Sequence, residues 1–161
     1  MMLSSRCKED VVIDTNVLVH ASNGALPQFS SAFAIVTWMM ESNIALVLDD
    51  LGKAKPDPST SRLYCEYQLH IPRGSIGEQL LIRLLSSSRV KFVERPNRQK
   101  ATRIQQICPK NKGDQAVLGA AAMSVDKVLV SNDWKDFDIV ARRQAAKLLE
   151  VLCVESAEAA V

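Results

Sequence analysis

Short apolar runs rich in β-branched residues alternate along this chain with longer stretches of helical periodicity, and this alternation constrains the fold most. The runs lie at residues 11–13, 44–48, 90–93, 127–130 and 151–154. Apart from Lys91 and Lys127 they are apolar, which is typical of strands buried on both faces. Helices are predicted between them at residues 27–42, 61–70, 76–86, 113–124 and 140–149. We therefore expect an α/β fold, a three-layer α/β/α sandwich around a central parallel sheet.

The size and charge of the chain bound its organisation. A chain of 161 residues suits one domain, because a second core would leave each half marginally stable. We expect a single domain over residues 1–161 with its core at about 10–155. The net charge of +2 is too small for nucleic-acid binding by charge alone, so it neither establishes nor excludes an RNA partner.

The cysteines and the N-terminus bear on the cellular compartment of the chain. Cys7, Cys65, Cys108 and Cys153 lack the close paired spacing of a zinc knuckle and are too sparse for a disulfide framework. A reducing cytoplasm is the simplest interpretation. The polar N-terminus does not resemble a signal peptide, and the apolar stretch at residues 31–40 is about half a membrane span. We expect no role in a membrane.

Acidic residues follow the predicted strands. Asp14 comes directly after the strand at 11–13, and Asp133 comes shortly after the strand at 127–130. Asp114 lies at the start of an alanine-rich helix, where a carboxylate either caps the helix or faces the same crevice. In open parallel sheets, ligands bind outside the carboxyl ends of the strands. Carboxylates gathered there repel one another unless a cation is present, which predicts a site for Mg²⁺ or Mn²⁺.

Three segments that contain these acids resemble the motifs of one nuclease family. VVIDTNVL at residues 11–18 resembles the opening motif of PIN-domain nucleases. GDQAVLGAA at residues 113–121 resembles their third acidic motif, and VLVSNDWKDF at residues 128–137 resembles their fourth. The segments occur in the family's order and frame nearly the whole chain.

The resemblance implies a PIN-like fold and cleavage of RNA phosphodiester bonds by metal-activated water. It implies that Asp14, Glu66 and Asp114 are metal ligands and that Asp133 is a further ligand or orients the water. Glu66 is the best match to the family's second acid, although Glu41 and Glu78 compete on spacing and are explained as helix-end residues. The supporting residues implied are Asn16 and Ser131, which would orient the first and fourth acids, and Asp136, which could share the role of Asp133.

Partners also follow from the resemblance. Many small bacterial members are toxins of toxin–antitoxin pairs, so an antitoxin protein is a possible partner beside the RNA substrate. A homodimer is common among relatives and is expected on the resemblance alone.

Other polar residues have simpler explanations. Asp49 and Asp50 also end a strand, but a turn accounts for them, and Asp138 suits a helix cap. His70 lies one helical turn after Glu66, which would permit a Glu–His metal pair, but the pair is a weak candidate. His20 is expected in packing or at the surface.

A run of basic residues lies between the second and third acids. Two interpretations stay open: a solvated helix face, or a track of phosphate contacts that leads RNA to the metal. The run consists of Arg95, Arg98, Lys100, Arg103, Lys110 and Lys112.

Two other functions compete with the nuclease. A phosphohydrolase of the haloacid dehalogenase type uses a second Asp two residues after its nucleophile, and here that position is Asn16, which cannot act as the acid. The third possibility is a PIN-like module that binds RNA or protein without cleaving it.

Overall fold

The computed structural model describes residues 2–51 and 53–159, and it contains a five-stranded sheet in the order β3-β2-β1-β4-β5. The strands are β1 Asp10–Ile13, β2 Ala45–Leu48, β3 Val90–Phe92, β4 Val128–Val130 and β5 Leu152–Val154. Every pair of neighbours is parallel. The predicted α/β class with a central parallel sheet is therefore confirmed.

The central strands are buried on both faces. All residues of β1 and β4 are buried, including Val11, Val12 and Ile13, which are fully covered. Because alternate side chains of a strand point to opposite faces, helices must cover both faces of the sheet. The apolar runs in the sequence are uniform for this reason.

Helices that flank the sheet form two packed groups. The helices are α1 Leu3–Arg6, α2 Thr15–Ala21, α3 Phe29–Glu41, α4 Arg62–His70, α5 Ile76–Ser86, α6 Arg98–Ile107, α7 Lys112–Met123 and α8 Ile139–Leu149. Helices α2, α3 and α5 pack against one another, and α6 packs against α7 and α8. Helix α4 contacts both α2 and α7, so it joins the two groups beside the carboxyl end of β1.

The strand predicted to begin at Lys127 begins one residue later. Lys127 has a φ of 52°, a left-handed conformation that an extended strand excludes. The short helix α2 has no counterpart among the predicted helices. It begins directly after Asp14, which is its N-cap residue.

Buried acids also stabilise the amino-terminal edge of the sheet. Asp10 is fully buried and accepts hydrogen bonds from the backbone N–H groups of Val125 and Asp126 and from Lys91 Nζ. Asp126 Oδ2 in turn accepts from three backbone N–H groups, those of Lys8, Glu9 and Asp10. These carboxylates tie the start of β1 to the turn before β4.

The strand order places a crevice at the opposite edge. The chain fills the sheet from β1 through β2 to β3 and then returns to the other side of β1 for β4 and β5. The reversal between β1 and β4 is where open α/β sheets bind ligands. Asp14 and Asp133 follow these two strands.

Within residues 2–51 and 53–159, no helix is both long enough and apolar enough to cross a membrane.

Candidate active site

Asp14 lies at the end of β1 with its carboxylate held from two sides. Its Oδ2 accepts hydrogen bonds from Ser131 Oγ at 2.7 Å and from Asn16 Nδ2 at 2.9 Å. The side chain is buried, and burial raises its pKa, with the charge of Asp133 adding to the increase against the hydrogen bonds that lower it. Asn16 and Ser131, expected to orient the first and fourth acids, therefore both contact Asp14.

Asp133 lies in the loop after β4, and hydrogen bonds to its side chain stabilise the turn of that loop. Asp133 Oδ1 accepts hydrogen bonds from the backbone N–H groups of Lys135 and Asp136. Ser131 Oγ accepts a hydrogen bond from the Asp133 N–H, so one hydroxyl contacts both Asp14 and the backbone of Asp133. The tight turn brings Asp136 back towards the crevice.

A buried arginine that the sequence did not identify fixes this loop from the other side. Arg142 of α8 is 7% exposed and donates hydrogen bonds to the carbonyl oxygens of Phe137 and Ser131. Its Cζ lies 4.1 Å from the centre of the Trp134 ring. No charge pattern in the sequence distinguishes it from its exposed neighbour Arg143.

Arg142→Met is expected to lower the free energy of unfolding by about 2–4 kcal/mol, because it leaves buried carbonyls without donors. Urea denaturation measures the loss. Arg143→Met is the matched control and should change stability by less than about 0.5 kcal/mol. Equal effects of the two substitutions would show that Arg142 does not support the loop.

Asp114 is the third residue of α7, at the carboxyl edge of the sheet. Asn111 caps this helix, and its Oδ1 accepts hydrogen bonds from Gly113 N and Asp114 N. The Asp114 pKa is raised to about 7 by burial, by hydrogen bonding and charge from Asp136, and by the charges of Asp133 and Asp14. Asp114 Oδ2 is buried and has no hydrogen-bond donor within the described part of the chain.

Three carboxylates converge at this point. One oxygen from each of Asp114, Asp133 and Asp136 lies within 4.8 Å of the other two. Asp14 is not one of these three converging acids, although its charge contributes to the raised pKa of Asp114. Asp136, predicted as a supporting residue, is therefore one of the three converging acids.

Glu66 faces the same crevice from α4. Its Oε2 lies 3.1 Å from His70 Nε2, and its Oε1 lies 3.8 Å from Arg62 Nε. The Glu66 carboxylate also lies close to the start of α7: a methyl group in place of the Gly113 hydrogen would lie 3.9 Å from Glu66 Oε1. The side chain is partly exposed.

Two clefts meet at the acids. The histidine cleft, of about 390 Å³, is lined by Asp14, Thr15, Asn16, Val19, His20, Glu66, His70, Asn111, Gly113, Asp114 and Val117. The lysine cleft, of about 280 Å³, is lined by Gln106, Ile107, Cys108, Pro109, Lys110, Asn111, Asp114, Lys135, Asp136, Asp138, Val140, Ala141 and Gln144. Because Asn111 and Asp114 line both clefts, the acids lie between two recesses.

The basic run divides between different surroundings. Arg103 Nη1 donates to Leu148 O, and Lys100 Nζ lies 3.7 Å from Met123 Sδ, so both contact neighbouring helices. Arg95, which precedes α6, and Arg98, its first residue, are both exposed. Lys110 lines the lysine cleft, and the exposed Lys112 begins α7. A role of these residues in RNA binding stays a prediction.

The other acids considered as candidates lie at turns and helix ends. Asp49 accepts hydrogen bonds from Ser61 Oγ and Arg62 N at the start of α4, and Asp50 accepts from Thr60 Oγ1. Asp138 caps α8, as predicted, by accepting from Ala141 N. Glu41 ends α3, and Glu78 lies in the first turn of α5.

The cysteines are all free. Cys7, Cys108 and Cys153 are buried, and burial raises each thiol pKa to about 12. Such thiols carry almost no thiolate at neutral pH, so they are unreactive packing groups.

Comparison with known proteins leaves the family of this chain open. No protein-family model matches the chain, and no curated protein matches it. A solved structure with a similar backbone is VapBC2 from Rickettsia felis bound to a DNA fragment from its promoter. The match has a TM-score of 0.46 and 15% identity, and it covers 91% of this chain and 98% of that one. At this level of similarity, the function has to be inferred from the chain's own residues.

Proposed function

We propose that this chain is a divalent-metal-dependent ribonuclease of the PIN-domain kind. The observation that carries the proposal is the convergence of Asp114, Asp133 and Asp136 beside Asp14 at the β1–β4 crevice. The choice of RNA as substrate follows from the resemblance of the three sequence segments to PIN motifs. The extent of one domain over residues 1–161 belongs to the same proposal.

The residues present fit a divalent cation. The converging ligand atoms are all carboxylate oxygens, which suits Mg²⁺ or Mn²⁺ better than zinc. Asp114 Oδ2 is buried without a donor in the described residues, and a protein rarely leaves such an oxygen unsatisfied without a functional reason. Asp114, Asp133 and Asp136 would hold the ion, with Asp14 and Glu66 at its margin directly or through water.

When bound, the cation would polarise the phosphate and lower the pKa of a water molecule, which then hydrolyses the phosphodiester. The chain's own residues prepare the site for this chemistry. Ser131 and Asn16 keep the Asp14 carboxylate in one orientation. Arg142 and the Asp133 turn keep Asp133 and Asp136 together, and the two clefts offer space for the nucleotides on either side of the cleaved bond.

A haloacid dehalogenase-type phosphohydrolase fits less well. Asn16 donates from Nδ2 to Asp14 Oδ2 and accepts from Asn132 N through Oδ1. Both ends of its amide are therefore occupied, and an amide cannot transfer the proton that this mechanism requires of that position.

The proposal is tested with single-stranded RNA and a phosphomonoester, each incubated with Mn²⁺ or Mg²⁺ and then with a chelator. We expect RNA cleavage that stops with chelator, no release from the monoester, and loss of cleavage in Asp14→Asn. Glu41→Gln, at the end of α3, should cleave normally. Cleavage that persists in chelator would contradict the proposal, and RNA binding without any cleavage would indicate a non-catalytic module.

The partners expected from the resemblance remain predictions. They are an antitoxin protein, a second copy of the chain in a homodimer, and an RNA substrate in the cytoplasm. Size-exclusion chromatography with light scattering tests the homodimer directly.

A further inference from the structure

Both histidines of the chain line the histidine cleft, although the sequence predicted no cleft role for His20. His20 lies in the last turn of α2 and is partly buried. Its ring Nδ1 lies 3.0 Å from Asn132 Nδ2. This contact decides which of the two ring nitrogens carries the proton.

The Asn132 amide has only one orientation that satisfies its neighbours. Its oxygen accepts a hydrogen bond from the backbone N–H of Ser156 at 2.8 Å and another from Ser156 Oγ at 2.9 Å. A backbone N–H can only donate, so the amide oxygen has to face Ser156. The NH₂ group of Asn132 consequently faces His20 and donates to Nδ1.

A ring nitrogen that accepts a hydrogen bond carries no proton, so neutral His20 holds its proton on Nε2. Partial burial also lowers the His20 pKa, which favours the neutral ring at neutral pH. The Nε2–H lies on the side of the ring away from Asn132. His20 lines the cleft, and its neutral Nε2–H is a donor that Asn132 does not occupy.

The cleft has the size and chemistry for one nucleoside. Its volume of about 390 Å³ lies in the usual range for small-ligand sites of ~300–1,000 Å³. Val19 and Val117 contribute apolar lining, and Asp14, Glu66 and Asp114 contribute carboxylates. The apolar side chains and a neutral hydrogen-bond donor suit an uncharged base in this cleft.

We propose that His20 reads the base of the nucleotide next to the cleaved phosphate by donating its Nε2–H to an acceptor atom on that base. This inference rests on the proposed nuclease function and assigns a specificity role within the same site. The hydrogen bonds from Ser156 to Asn132 and from Asn132 to His20 fix the tautomer. A base without an acceptor at the matching position would be disfavoured.

The tautomer is tested without any activity measurement. Two-bond ¹H–¹⁵N correlation spectra of the metal-free protein should show His20 protonated on Nε2 alone. Asn132→Ala should remove this preference, and the spectrum should become that of a mixture of tautomers. A proton on Nδ1 in the wild-type protein would overturn the inference.

The contact with the base is tested by a double-mutant cycle. A single-stranded RNA with one cleavage site is prepared with an abasic nucleotide at each position near that site. His20→Phe keeps a ring but removes the donor, and it should lower kcat/KM on intact RNA by about 3- to 10-fold. His20→Gln keeps an N–H donor and should recover part of this loss. On RNA that is abasic at the read position, His20→Phe should have no further effect.

The two failures are distinguishable. Equal loss on intact and abasic RNA would overturn the base contact while leaving the nuclease intact. Fluorescence anisotropy of the same RNAs in chelator measures binding alone. If no RNA is cleaved but binding shows the same dependence on His20 and the base, the nuclease proposal fails while the contact between His20 and a base stands.

Discussion

Asp114→Asn is expected to lower the rate of metal-dependent RNA cleavage by about 10²–10³-fold, the usual loss when one charged group is removed from a reacting centre. Asp114 is the acid with both a raised pKa and a buried oxygen that lacks a donor in the described residues. Asparagine keeps its shape and preserves the cap that Asn111 provides to α7. Single-turnover cleavage at saturating Mn²⁺ measures the effect on the chemical step.

Glu41→Gln serves as the control because Glu41 ends α3 and does not line either cleft. The folded state of Asp114→Asn is checked by circular dichroism. Cleavage near the wild-type rate in a folded Asp114→Asn protein would remove Asp114 from the site.

The metal-free protein should lose stability as the pH rises from about 4 to about 7. The folded-state pKa of Asp114 is raised from 3.8 to about 7, so the folded protein binds this proton more tightly than the unfolded chain. The resulting stabilisation is complete below pH 3.8 and is lost as the pH passes through about 7. We expect a difference on the order of 2–4 kcal/mol from this residue, or roughly 5–15 °C in Tm. Thermal unfolding in chelator at a series of pH values measures it.

Asp114→Asn isolates the contribution of this residue, because all other titrating groups stay in place. Its metal-free Tm should fall less with pH than the wild-type Tm and should exceed it at pH 8. Millimolar Mn²⁺ should raise the wild-type Tm more at pH 8 than at pH 5, since protons compete with the ion. A wild-type Tm unaffected by Mn²⁺ at pH 8 would contradict a metal site formed by these acids.

The fold could be predicted because its signals are local. Strands buried on both faces show as uniform apolar runs, and the order of strands and helices determines a parallel sheet. The exceptions are the start of β4 and three helices, α1, α2 and α6, that are not among the predicted ones. Lys127 has a left-handed φ of 52°, and helix α2 is too short for its periodicity to be distinguished from a loop.

The candidate acids could be predicted as far as topology determines them. Asp14 and Asp133 were found because the carboxyl ends of parallel strands share one edge of the sheet. The position of Asp136 beside the other acids depends on the turn around Asp133 and on Arg142, so the sequence alone does not predict it. The sequence of the loop does not show that a buried arginine from α8 stabilises it.

Side-chain contacts between distant segments could not be predicted. The link from Ser156 through Asn132 to His20 joins three separate elements. The surroundings of the basic run could not be predicted either: Arg103 and Lys100 contact Leu148 and Met123. Only the packed structure determines which face of α6 is turned inward.

The acids at the two ends of β1 have opposite effects on folding. Backbone N–H donors and Lys91 stabilise the negative charges of Asp10 and Asp126. Burial instead disfavours the charged forms of Asp14 and Asp114, whose pKa values are raised. A library of random variants selected only for heat resistance should therefore keep Asp10 and accumulate neutral replacements at Asp14 and Asp114. Thermostability selection on this scaffold would steadily yield inactive proteins, unless each round also requires function or supplies Mn²⁺.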